Sequence, residues 1–122
     1  MSEIEIGTII NIFDESIYPA KNIYCACVCV SKNFFLKLNS ENRAMYDCIP
    51  ISKKQRQFYG FISCSNVFEY SEEELKKSTI KGNLHFEDIK RIKEKVETSK
   101  TIVKMKKEQI LCELEYCLEE YL

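Results

Sequence analysis

The stretch Tyr24-Cys25-Ala26-Cys27-Val28-Cys29-Val30 restricts what this chain can fold into more than any other part of it. It carries no charge, amide or proline, and together with Ile23 it is bounded by the polar Asn22 and Ser31. Small and β-branched apolar residues in so short a run make a poor buried helix and a good strand hidden on both faces. Such a strand lies centrally in a sheet or inside a small barrel, and it sets the geometry of whatever stands at its ends. Alternate residues of a strand share a face, so Cys25, Cys27 and Cys29 are expected to point the same way. Same-face neighbours are about 6.6 Å apart along a strand, too spread for three thiolates to close round one zinc without distortion. The chain has seven cysteines and one histidine, His85, to complete any such site. An odd count among apolar neighbours, with no export signal, reads as reduced thiols used as small hydrophobes. No metal and no cofactor is implied.

With 122 residues the chain is expected to be one domain spanning 1–122. Nothing approaches the roughly 18 consecutive apolar residues of a membrane span. The start, Met1-Ser2-Glu3-Ile4-Glu5, lacks the basic and apolar regions of a secretion signal, which points to a cytoplasmic protein without membrane partners. A net charge of −1 gives no general pull toward nucleic acid, so any such site must be a local patch.

Strands are expected over about 4–68: Ile6 to Phe13, Ile23 to Val30, Phe34 to Leu38, Cys48 to Ser52 and Phe61 to Phe68. Pro19 marks a loop before the central strand, and Pro50 places the fourth strand at an edge or bulge. The chain then changes character. Ser71 with Glu74 forms a capping-box pattern opening a helix over about 71–78. Leu84, Ile89, Ile92 and Val96 mark one face of a second helix, about 85–99, with His85 at its start in a local capping role. A third helix, about 103–121, has an apolar side of Ile110, Leu111, Leu114, Cys117, Leu118 and Tyr121. Strands first and helices after make an α+β domain. In the third helix, Lys104, Lys106 and Lys107 sit at the N-terminal end, and Glu113, Glu115, Glu119 and Glu120 toward the C-terminal end. Both placements oppose the helix dipole, so packing must hold this helix. That packing is either against the domain's own sheet or against a partner chain.

The segment Ile49-Pro50-Ile51-Ser52-Lys53-Lys54-Gln55-Arg56-Gln57-Phe58-Tyr59 places a hydroxyl at a strand end, then three cations, then two aromatics. Cations neutralise phosphates and aromatic faces stack on unpaired bases, a pairing suited to single-stranded nucleic acid. A solvated basic loop has the same composition. Lys53, Lys54, Phe58 and Tyr59 are the candidate RNA-contacting residues.

Three segments in order resemble the MazF/PemK family of small RNA-cleaving toxins. They are Ile6-Gly7-Thr8-Ile9-Ile10, the Cys25–Val30 strand followed by Ile49-Pro50-Ile51-Ser52, and Ile80-Lys81-Gly82-Asn83-Leu84-His85-Phe86-Glu87-Asp88-Ile89. The likeness covers about residues 5–100, and the last helix is extra. It implies a small Src-homology-3-like β-barrel followed by C-terminal helices, acting as a homodimer. It also implies metal-independent endoribonuclease activity on single-stranded RNA, held in check by an antitoxin protein. Cleavage of this kind needs a base for the 2′-hydroxyl, a cation for the charge on phosphorus and a donor for the leaving oxygen. Ser52 matches the family's hydroxyl. Lys21-Asn22 stands where the family has Arg-Pro, so Lys21 or Arg56 must replace the arginine, and lysine lacks its bidentate fork. The implied catalytic set is Ser52, Lys21 and Arg56. The departure at Lys21 also admits an idle relative that binds protein or nucleic acid without cutting it.

Overall fold

The central apolar run forms a strand with neighbours on both sides. The computed structural model describes residues 3–42, 47–52, 58 and 60–120. Its elements follow in the order β1 (Thr8–Asp14), β2 (Lys21–Cys29), β3 (Phe34–Asn39), β4 (Cys48–Pro50), β5 (Phe61–Glu69), α1 (Glu72–Lys76), β6 (Thr79–Asn83), α2 (Phe86–Thr98) and α3 (Lys104–Glu119). The strands form one antiparallel sheet in the order β4-β5-β3-β2-β1-β6. This is an α+β fold. The order is linear, and among the described residues the sheet is not closed into a barrel. Pro50 falls on the edge strand β4, where a missing N–H costs no ladder bond. β6 is the element the sequence does not announce: exposed, polar and interrupted by Gly82, it has no apolar alternation, and its pairing with β1 makes it a strand.

Two apolar layers sandwich the sheet. On one face Ile10, Ile12, Ile23, Cys25, Cys27 and Phe35 pack with Tyr70 and with Leu75 of α1. On the other, Ile9, Ala26, Val28, Leu36 and Ile62 pack against Ile89, Ile92 and Val96 of α2 and Ile110 and Leu114 of α3. A fully buried side chain of this size contributes roughly 1.5–3 kcal/mol. The expectation for the three thiols holds for two. Cys25 and Cys27 share the α1 face, but Cys29 joins the opposite core, because the register of β2 on β3 shifts between Cys27 and Cys29. A bulge adds a residue and breaks the two-residue alternation. Burial pushes the Cys25, Cys27 and Cys64 thiols up to about 12, as expected of packed rather than reactive sulfur.

The helix ends follow their sequence cues. Ser71 and Glu74 make both bonds of the capping box, and His85 Nδ1 accepts the Glu87 N–H at 3.2 Å. α3 has no acid in its first turn, no base in its last and no side-chain cap. It docks on the chain's own sheet through Ile110 and Leu114 and through Glu113. The Glu113 carboxylate accepts the Val30 N–H at 2.7 Å, the Cys29 thiol at 3.0 Å and the Ser31 hydroxyl at the β2–β3 turn. Lys107 Nζ donates to the Ser99 carbonyl at 2.5 Å, and Lys106 lies over the Phe34 ring. The charges that oppose the helix's own dipole are therefore partly spent on tertiary contacts.

Candidate functional site

Ser52 follows the buried Ile51, whose N–H donates to the Gly60 carbonyl at 2.9 Å and closes the base of the β4–β5 connection. Gly60 has φ +106°, and a Cβ there would collide with the Asn39 carbonyl, so only glycine fits this close approach. The Ser52 N–H donates to both oxygens of Asp88, at 3.0 and 3.1 Å. Asp88 stands in the first turn of α2, fully buried, and its carboxylate also pairs with the Arg91 guanidinium one turn further on. A buried carboxylate is tolerated when its oxygens are paired in this way. Asp88 thus does more than favour a helix start. It ties the end of β4 to α2 and holds a cation beside Ser52. The cleft so formed has a volume of about 590 Å³ and is lined by Pro50, Ile51, Ser52, Glu87, Lys90, Arg91 and Glu94. Ligand sites commonly fall between about 300 and 1,000 Å³.

Lys21 lies elsewhere. It is exposed at the start of β2 and lines a separate cavity of about 600 Å³ with Lys37, Asn39, Ser63, Asn66 and Phe68. Asn22, Ile23, Tyr24 and Leu38 also line it, and it shares no lining residue with the Ser52 cleft. An irregularity in β5 shapes it: Leu36 faces Val67 while Leu38 faces Ile62, so two steps along β3 match five along β5. The structure therefore does not bring Lys21 and Ser52 into one cleft. Phe58 is half-buried against the α2-side core, its ring 5.3 Å from that of Tyr24 in an edge-to-face contact. Lys53, Lys54, Arg56 and Tyr59 lie outside the described residues.

The residues that share Ser52's cleft, Glu87, Lys90, Arg91 and Glu94, were legible as a set. Their spacing of i, i+3, i+4 and i+7 puts four charges on one stripe of α2. What the spacing could not reveal is that Ser52 packs against that stripe.

A second buried carboxylate, Asp14, serves the other face. It accepts the Tyr70 hydroxyl at 2.6 Å and the Ser16 hydroxyl and N–H at 2.5 and 2.7 Å. Burial pushes its pKa up, but the bonds from Ser16 and Tyr70 outweigh burial and hold the carboxyl below its ordinary value. Burial, followed by the neighbouring Cys25 and Asp14, pushes the Tyr70 hydroxyl well above the usual tyrosine range. Among the described residues no group of three or more His, Cys, Asp or Glu side chains could hold a metal ion. No helix among them is long and apolar enough to cross a membrane. Compared with known proteins, the chain matches no family model and no curated sequence.

Proposed function

We propose that this protein is a divergent MazF/PemK-like endoribonuclease that cuts single-stranded RNA in the cleft between Ser52 and the first turns of α2. The observation that carries this reading is that Ser52 and an arginine, Arg91, line the same cleft. The family's cation is then supplied from α2 rather than from Lys21 or Arg56. The open sheet is read as a barrel that has lost its closure. An antitoxin protein and a homodimer belong to the same reading, through the resemblance alone.

The chemistry asks little of this cleft. The 2′-oxygen attacks phosphorus, the bond to the 5′-oxygen breaks, and a cyclic phosphate and a free 5′-hydroxyl result. Glu87 takes the 2′-proton, and Lys90 donates one to the departing 5′-oxygen. Arg91, aimed by Asp88, and the Ser52 hydroxyl hold the phosphoryl oxygens as charge builds on them. Arg91's pairing with Asp88 also favours a second reading, in which the guanidinium is occupied and the cleft binds RNA without cutting it.

Incubation with a labelled single-stranded RNA in EDTA separates the two. Cleavage to cyclic-phosphate ends, reduced about a hundredfold or more in Ser52→Ala and Arg91→Ala, supports the enzyme. Binding without products leaves the second reading, and neither binding nor products removes both.

A further inference from the structure

The α2-side face of the sheet is not wholly covered. Beyond the helices, β1 and β2 present a block of four side chains: Asn11 opposite Tyr24, and Phe13 opposite Asn22. Their strand neighbours Ile10, Ile12, Ile23 and Cys25 all point into the α1-side core, so these four share the other face. Phe13 is 51% and Tyr24 41% exposed, on strands whose inward residues are almost completely buried. Phe58 meets Tyr24 edge-on and extends the patch toward the β4–β5 connection. Two rings flanked by two amides on a firm sheet are matched to one kind of ligand. Aromatic faces take unpaired bases by stacking, and asparagine amides both donate to and accept from base edges. The chain between Ser52 and Phe58 also carries Lys53, Lys54 and Arg56 in its sequence, which complements phosphate charge rather than an apolar protein surface.

We infer that Asn11, Phe13, Asn22 and Tyr24, with Phe58, form a stacking platform for bases of single-stranded RNA. The inference rests on the proposed function: the cleft holds a phosphate while the platform, whose Asn22 and Tyr24 also line the Lys21 cavity, grips bases of the same RNA. Affinity then depends on the bases and on Phe13 and Tyr24, whatever the fate of the phosphodiester.

The test is fluorescence anisotropy with a labelled 12-nucleotide RNA, in EDTA and at low salt, using the Ser52→Ala background so that the probe stays whole. The expected result is that Phe13→Ala and Tyr24→Ala each weaken binding about tenfold, while Phe13→Tyr and Tyr24→Phe retain it. An abasic strand and a duplex should bind more weakly than the single strand. Unfolding curves matching the parent confirm that the alanine variants are folded. Unchanged affinity in the folded double variant, or equal binding of the abasic strand, overturns the platform even if the unmutated protein cuts RNA. Loss of binding in the double variant upholds it even if no cleavage is found. No RNA binding at all, with a self-association that Phe13→Ala abolishes, assigns the face to protein contact and overturns the inference.

Discussion

Asp14 and Asp88 are both sealed from solvent, at 2% and 0% exposure, yet they do different things. Asp14 is surrounded by uncharged donors, Tyr70 and Ser16, and ties the end of β1 to the residue that follows β5. Asp88 takes one backbone N–H and one cation, and both partners line an open cleft. A buried carboxylate satisfied by hydroxyls and amides serves the fold. One that spends its charge on an arginine at a cleft wall serves, on the proposed reading, a site. The contrast predicts that damage to the first falls on stability and damage to the second on chemistry.

The largest stability effect should come from Asp14→Ala, which leaves the buried Tyr70 hydroxyl only the weak contact with the Cys25 sulfur at 3.7 Å. Chemical denaturation should show a loss of about 3 kcal/mol, with cleavage per folded molecule unchanged. Asp88→Asn keeps the shape but weakens its hold on Arg91. It should cost about 1–2 kcal/mol and slow cleavage at least tenfold, which reverses the ranking of the two sites. Glu113→Gln should cost about 1 kcal/mol and speed amide exchange in α3 while sparing the rest of the sheet.

Acid acts on Asp14 and on Glu113 in the same direction. Burial raises the Glu113 pKa, but bonds from Cys29, Ser31 and Val30 together hold it below the ordinary glutamate value, as Asp14 is held below the aspartate value. For a lowered native pKa the unfolded chain takes up protons first as the pH falls. The stability these two carboxylates contribute is therefore complete above pH about 5. It is lost as the pH drops through the ordinary carboxylate range and below. A combined Asp14→Asn/Glu113→Gln variant should show a flatter stability profile below that point. The smallest effect should be that of Lys21→Ala. Exposed and in another cavity, Lys21 should change stability by no more than about 0.5 kcal/mol and leave cleavage intact.

Much of the fold was legible because local chemistry and tertiary environment agree. The Cys25–Cys29 part of the central run, the Ser71–Glu74 box, Pro50 at an edge and the Leu84–Val96 stripe each point where the structure goes, while Tyr24 and Val30 at the ends of that run stay exposed. β6 was not legible, since its strand state comes from β1 and not from its own side chains. Cys29 was misplaced because a bulge depends on the partner strand, which periodicity does not encode. The site divides in the same way. Ser52 stood out as a hydroxyl at a strand end, and the charged stripe of α2 could have been read from its spacing. That the two meet through Asp88 is a contact between residues 36 positions apart in the chain.

The most direct measurement is the cleavage rate of Arg91→Lys beside that of Lys21→Ala, on the same RNA in EDTA. Lysine keeps the charge and loses the fork that reaches two oxygens at once. On the proposed reading Arg91→Lys should be nearly inactive, and Lys21→Ala should cut like the unmutated protein. An inactive Lys21→Ala beside a fully active Arg91→Lys would overturn this, and would move the chemistry to the cavity that Lys21 lines.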